Sequence, residues 1–177
     1  MKEAKGYQLP ELNRKAVVHG HCQHKAVMGM TDEEKVLSKL VLDYEVLDSG
    51  CCGMAGAFGF EKEKYDVSIK CGERVLLPAV RSAPKDALII ADGYSCREQI
   101  AQTTDRKALH LAQVIHMAMQ DGAQGPPGNY PESQYQRLRY VPPQQPPNKA
   151  KTLAVVGLGA LVVGGVVMWQ MNRRRSS

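Results

Sequence analysis

The chain has 177 residues, enough for one ordinary domain with a core of its own plus an appendage. Its formal charge of +5 is uneven: residues 1–125 carry a net −1 and residues 126–177 a net +6, so the basic surplus lies outside the part expected to fold, which argues against a nucleic-acid-binding domain. MKEAKGYQLP at the start has no apolar run to read as a secretory signal, and five cysteines without one fit a reducing compartment, where thiols bind metal or do redox chemistry.

In chain order, AVVHG (16–20) reads as a short apolar strand. TDEEKVLSKLVLDY reads as a helix opened by a capping box of Thr31 with Glu34, with Val36, Leu37 and Leu40 at helical spacing. YEVLD (44–48) is a second strand. The next helix is expected near Lys64, with Tyr65, Ile69 and Leu76 along one face, Pro78 kinking or ending it and Pro84 closing the segment. DALIIAD (86–92) has the apolar centre of a strand buried in a parallel sheet. A last helix is expected over 105–120, with Ala108, Leu111, Ala112, Ile115 and Met119 inward. Strands alternating with helices predict an α/β fold with a small parallel sheet and crossover helices.

Beyond this domain, assigned to residues 1–122, the stretch 126–147 holds seven of the ten prolines, and residues 123–150 are expected to form an extended, proline-rich linker. From Leu153 to Trp169 runs an uncharged stretch of 17 residues, extended by Thr152, Gln170 and Met171 to nearly the thickness of a hydrocarbon core, about 30 Å. The expectation is a single C-terminal transmembrane helix over 151–171 and a basic tail over 172–177. It makes the protein a single-pass membrane protein with its cysteine-rich domain in the cytoplasm.

Cys22 follows the first strand, Cys51 and Cys52 the second, and Cys96 the third. In a parallel sheet those strand ends share one edge, where ligand crevices of open α/β sheets form, so four thiols distant in sequence are expected to converge. Gly50, Gly53 and Gly56 supply the sharp turns that let two adjacent cysteines aim at one site. Adjacent cysteines chelate a single zinc ion poorly, whereas an iron-sulfur cluster spreads its irons over several ångströms. The cluster is the favoured occupant and zinc the alternative.

The bland readings stand beside these. Cys71 falls mid-helix between Val67 and Val75 and reads as packing. His19, His21 and His24 flank Cys22 and are expected to hydrogen-bond around the site, with His21 the best outside choice of ligand. Arg97 beside Cys96 would favour the thiolate by its charge, or simply stand exposed at a helix start. His110 and His116 read as structural, and Glu61 to Lys64 as a solvated edge.

HGHCQHKA at 19–26, SGCCGMAGAFGF at 49–60, ADGYSCREQI at 91–100 and HLAQVI at 110–115 together resemble the cysteine-rich CCG domain. That domain occurs in the cysteine-rich subunit of heterodisulfide reductase, the iron-sulfur subunit of anaerobic glycerol-3-phosphate dehydrogenase, glycolate oxidase and lactate-utilisation subunits, and the C-terminus of FAD-linked 2-hydroxy-acid (D-lactate-type) dehydrogenases. The resemblance is strongest to the last group and covers about residues 16–120. It implies ligation of an iron-sulfur cluster, 4Fe-4S in type, by Cys22, Cys51, Cys52 and Cys96. Electrons would pass from a flavin towards quinone or another acceptor. The fullest form of the motif ends in a C-x-x-C pair, whereas Cys96 stands alone between Gly93 and Gln99, so a four-thiol site is the more economical reading. Family members usually add a second cysteine-rich repeat, ferredoxin-like C-x2-C-x2-C runs and often a flavin domain, and this sequence shows none of them. The resemblance implies a non-autonomous electron-transfer module whose FAD sits on a partner flavoprotein dehydrogenase, beside a ferredoxin-like iron-sulfur subunit. A zinc-binding or metal-free docking module is the alternative.

Overall fold

A computed structural model describes residues 8–139. Strand β1 (Lys15–His19) is followed by the short helix α1 (Cys22–Val27), helix α2 (Thr31–Lys39) and strand β2 (Asp43–Val46). A single 3-10 turn, Phe58–Phe60, precedes helices α3 (Tyr65–Glu73) and α4 (Leu76–Ser82). Strand β3 (Leu88–Ala91) and helices α5 (Tyr94–Thr103), α6 (Leu111–Asp121) and α7 (Pro131–Arg139) complete the order.

The three strands form one parallel sheet in the order β2-β1-β3, with β1 central. The apolar content of β1 and β3 suits strands covered on both faces, whereas β2, with Asp43 and Glu45 exposed, is an edge strand. Side chains alternate across the pleat. On one face Ala16, Val18, Leu88 and Ile90 pack with Leu37 of α2, with Leu40 just after it, and with Val114 and Met117 of α6. On the other, Val17, Ile89 and Ala91 pack with Leu76, Leu77 and Val80 of α4 and Ile100 of α5, and this second layer also holds Cys52 and Cys96.

Several elements differ from the sequence expectation for identifiable reasons. Thr31 is the first helical residue of α2, not its cap; Met30 takes the cap position without a side-chain hydrogen bond. Pro78 ends nothing, because the helix breaks earlier, at Arg74 and Val75, and Pro78 falls in the first turn of α4, where no amide hydrogen is needed. The buried face of α3 is Ser68 and Gly72, one turn apart, while Tyr65 is 49% exposed. The final helix of the sheet layer starts at Leu111, where the His110 ring accepts from the Ala112 amide and Gln113 returns the bond to the His110 amide. Its inward face is Leu111, Val114, Met117 and Ala118, and Met119 points out. His110 and His116 are structural as expected, the latter bonded to the Tyr135 hydroxyl at 2.6 Å.

The described part of the stretch expected to be an extended spacer, residues 123–139, contains α7. Arg106, 3% exposed, donates from Nε to Glu132 Oε1 at 2.7 Å and from its other nitrogens to the carbonyls of Ala87 and Pro84. Arg14 fastens the preceding turn by donating to the carbonyls of Gln124 and Pro126.

The expected transmembrane helix and the single-pass membrane location built on it are corrected. Among the described residues no helix is long and apolar enough to cross a membrane. Residues 151–171, on which that expectation rested, lie outside the described residues. Apolar count alone carried the expectation, and four glycines in the run already weakened it as a helix.

Candidate metal centre

Each functional thiol is delivered by the end of a strand. β1 hands over to α1, which begins at Cys22; β2 runs out into the Cys51–Cys52 loop; β3 hands over to α5, which carries Cys96 in its first turn. The loop holds its shape through Gly53. Its φ of +95° is one that side-chain-bearing residues avoid, and a Cβ there would lie 2.0 Å from the Ser68 carbonyl oxygen. Small residues on α3 complete the fit, since a Cβ on Gly72 would lie 3.0 Å from the Cys52 carbonyl. The glycine after the paired cysteines thus lets the loop dock on α3, and with it turns Cys52 into the core and Cys51 outward.

The four thiols lie near enough to perturb one another: Cys22 and Cys52 act on Cys51, Cys51 and Cys96 act on Cys52, and Cys22, Cys51 and Cys52 act on Cys96. Cys52 is 3% and Cys96 1% exposed, Cys22 is half-buried and Cys51 exposed. All five cysteines are free thiols. The Cys96 thiol, joined by the amides of Met54 and Ala55, lowers Cys52 to about 6 against the opposing effect of burial. Cys96 is correspondingly pushed up, by Cys52, by burial and by the other neighbouring thiols. Burial pushes Cys51 up, partly offset by the Gly53 amide, which donates to its sulfur at 3.3 Å.

Beside the thiols, a Cβ at Gly93 would come within 2.5 Å of the His21 ring and 2.9 Å of Cys96 Sγ, so only glycine lets both side chains pack against the backbone there. His24 Nδ1 lies 3.6 Å from Glu33 Oε2. Arg97 does not face Cys96 either; its guanidinium donates to the carbonyls of Ala91 (3.1 Å) and Asp92 (2.6 Å) and closes off the end of β3. Cys71 is mid-α3 and half-buried, and it shares with Cys51 and Arg74 a cavity of about 130 Å³.

Three features escaped the sequence reading. Ser49 holds the His19 ring, with Oγ 2.7 Å from Nδ1. Lys25 donates to the carbonyls of Leu47 (3.4 Å) and Ser49 (3.1 Å), pinning the strand that leads into the cysteine loop. Glu33, 7% exposed, has its carboxyl pushed up by burial and by the nearby Asp92. The signal for Lys25 and Ser49 was present in their closeness to Cys22 and Cys51. Glu33 looked like an ordinary acidic residue of a helix first turn.

The donor set is chemically apt for a thiophilic metal group, and the bare backbone of Gly93 lets the His21 ring and Cys96 Sγ approach it closely. Among the described residues, no three His, Cys, Asp or Glu side chains close on a single point as they would around one ion.

The chain is 33% identical over 121 residues to a subunit of the anaerobic glycerol-3-phosphate dehydrogenase of Escherichia coli K12, covering 67% of this chain and 30% of that protein. It is 34% identical over 97 residues to D-2-hydroxyglutarate dehydrogenase of Pseudomonas putida, covering 54% of this chain and 9% of that one. With the D-2-hydroxyglutarate dehydrogenase of E. coli K12 it shares 26% over 98 residues, covering 54% and 10%. The chain thus spans less than a third of the length of these relatives. No family model matches it, and no solved structure matches it.

Proposed function

We propose, from the premise that this chain is a homologue of dehydrogenases and dehydrogenase subunits consistent with the CCG cysteine-rich family, that it is an electron-transfer module of a larger oxidoreductase. In this reading Cys22, Cys51, Cys52 and Cys96 hold an iron-sulfur cluster of 4Fe-4S type. The observation that carries it is the gathering, from three strand ends, of four thiols near enough to perturb one another. Such a gathering places adjacent side chains side by side rather than around one point, which suits a group with several irons better than one zinc ion. The cluster, when bound, supplies one-electron transfer. The chain's own contribution is to orient the thiolates, bury Cys52 and Cys96 from water, and hold Cys52 ready in its ionised form.

The electron donor is a flavin on a separate flavoprotein dehydrogenase oxidising a 2-hydroxy acid, with a ferredoxin-like subunit as a further partner and quinone or another acceptor downstream. Two-electron oxidation of such a substrate is cofactor chemistry that needs a pocket orienting a flavin or nicotinamide. No G-x-G-x-x-G run follows a strand in this sequence.

The test is anaerobic reconstitution of the full chain with iron and sulfide. A brown protein with broad absorption in the blue and bound iron and sulfide supports the reading; a colourless protein that retains zinc overturns it. Turnover of a 2-hydroxy acid by the purified chain without added flavoprotein would overturn the assignment as a non-autonomous module.

A further inference from the structure

His19 is 1% exposed, and its Nε2 has no hydrogen-bond partner, although a buried imidazole nitrogen left unpaired is costly. The other ring nitrogen is fixed, with the Ser49 hydroxyl 2.7 Å from Nδ1. Ser49 Oγ makes no other hydrogen bond among the described residues. If the hydroxyl donates to Nδ1, both groups are satisfied, and the ring proton is left on Nε2. The opposite tautomer would leave the hydroxyl hydrogen without an acceptor.

The pleat fixes where this proton lies. His19 shares a sheet face with Val17, two residues before it, and Val17 packs in the layer containing Cys52 and Cys96. Ala91, the register partner of His19 on β3, belongs to the same layer. Ser49 stands three residues before Cys52, so the ring bridges from β1 to the base of the cysteine loop with Nε2 on the side away from Ser49. Burial, with Lys25 and His21 nearby, lowers this imidazole to about 4, so it is neutral at pH 7 and offers one donor without a charge.

We propose that His19 donates a hydrogen bond from Nε2 to a sulfur of the group held by Cys22, Cys51, Cys52 and Cys96, in the tautomer selected by Ser49. The inference rests on the reading of those cysteines as cluster ligands. A donor aimed at cluster sulfur stabilises the added negative charge of the reduced state and raises its potential. His19 thereby sets the poise of the module without ligating metal.

The experiment compares full-length wild type, His19→Phe and Ser49→Ala after anaerobic loading with iron and sulfide, measuring iron and sulfide content and midpoint potential. All three are expected to hold the same iron, with the potential shifted more negative in both variants and furthest in His19→Phe. Ser49→Ala retains the imidazole but removes the hydroxyl that selects its tautomer, and it decides alone if His19→Phe does not fold. Unshifted potentials overturn the proposal. So does loss of iron from His19→Phe with an unmoved potential in Ser49→Ala, which would make His19 a ligand or a prop. A wild-type chain that takes up no iron overturns the cluster reading and this inference together, whereas a loaded wild type with insensitive variants overturns the inference alone.

Discussion

Cys96, at the start of α5, lowers the thiol of Cys52 in the loop after β2, and Cys52 in turn pushes Cys96 up. Two buried thiols from strand ends on opposite sides of β1 thus shift in opposite directions, and the one on the loop is the acid of the pair.

In the metal-free chain, then, the ultraviolet thiolate band should contain a component that disappears as pH falls through about 6, the folded-state value of Cys52. Cys96→Ala removes the largest cause of the lowering and should move this component upward, towards the ordinary thiol range. An unchanged titration in Cys96→Ala would refute the pairing.

His19 sets a second pH window. Its folded-state value of about 4 lies below the ordinary 6.5, so the protonated form favours the unfolded chain. The stability from the neutral ring is complete above about pH 6.5 and is lost as pH falls towards 4. Between pH 7 and 5 the loss is on the order of 2 kcal/mol. Urea midpoints across this range should fall more steeply in wild type than in His19→Phe; parallel slopes would rule the effect out.

Serine at Cys22, Cys51, Cys52 or Cys96 should strip most of the bound metal, because a site short of one thiolate loses its closed coordination. Cys71→Ser should keep it. Iron content after anaerobic loading decides the matter, and equal losses from all five variants would dissolve the distinction between the four thiols and their neighbour in α3.

Gly53→Ala should damage both fold and site. The new Cβ meets the Ser68 carbonyl at 2.0 Å in a left-handed backbone, so the loop must leave α3. A destabilisation of about 2 kcal/mol or more is expected, with metal loss as large as in the serine variants. Chemical denaturation and iron analysis of the same sample check both.

Removing one member of the Arg106–Glu132 pair should cost about 3–5 kcal/mol, since the other is left as an uncompensated buried group. Arg106→Met with Glu132→Leu should recover much of that loss in a double-mutant cycle. Additive losses would mean that the two side chains act separately.

The sheet and the placement of the cysteines after its strands were legible because both follow from local pattern: apolar runs are followed by cysteine, and helices between them force a parallel sheet whose strand ends share an edge. What was illegible depends on partners distant in the chain. Pro78 reads as a terminator until the break at Val75 is known, and α7 hides among prolines because its stability comes from Glu132 meeting Arg106. Tyr65 and Ile69 suggested the packing face of α3, yet the cysteine loop approaches so closely that only Ser68 and Gly72 fit beneath it. Arg97 invited an electrostatic role from its place beside Cys96, and its carbonyl partners at the end of β3 give it a mechanical one.

The set of thiols is graded from a wet end, Cys22 and Cys51, to a dry end, Cys52 and Cys96. Anything seated against it has a front and a back. Oxidants, chelators and exchanging thiols reach the front first, so degradation should begin with modification of Cys51 while the dry pair still holds. The same gradient gives traffic a direction, because a partner can approach closely only from the front, and the protein interior behind Cys52 and Cys96 acts as insulation.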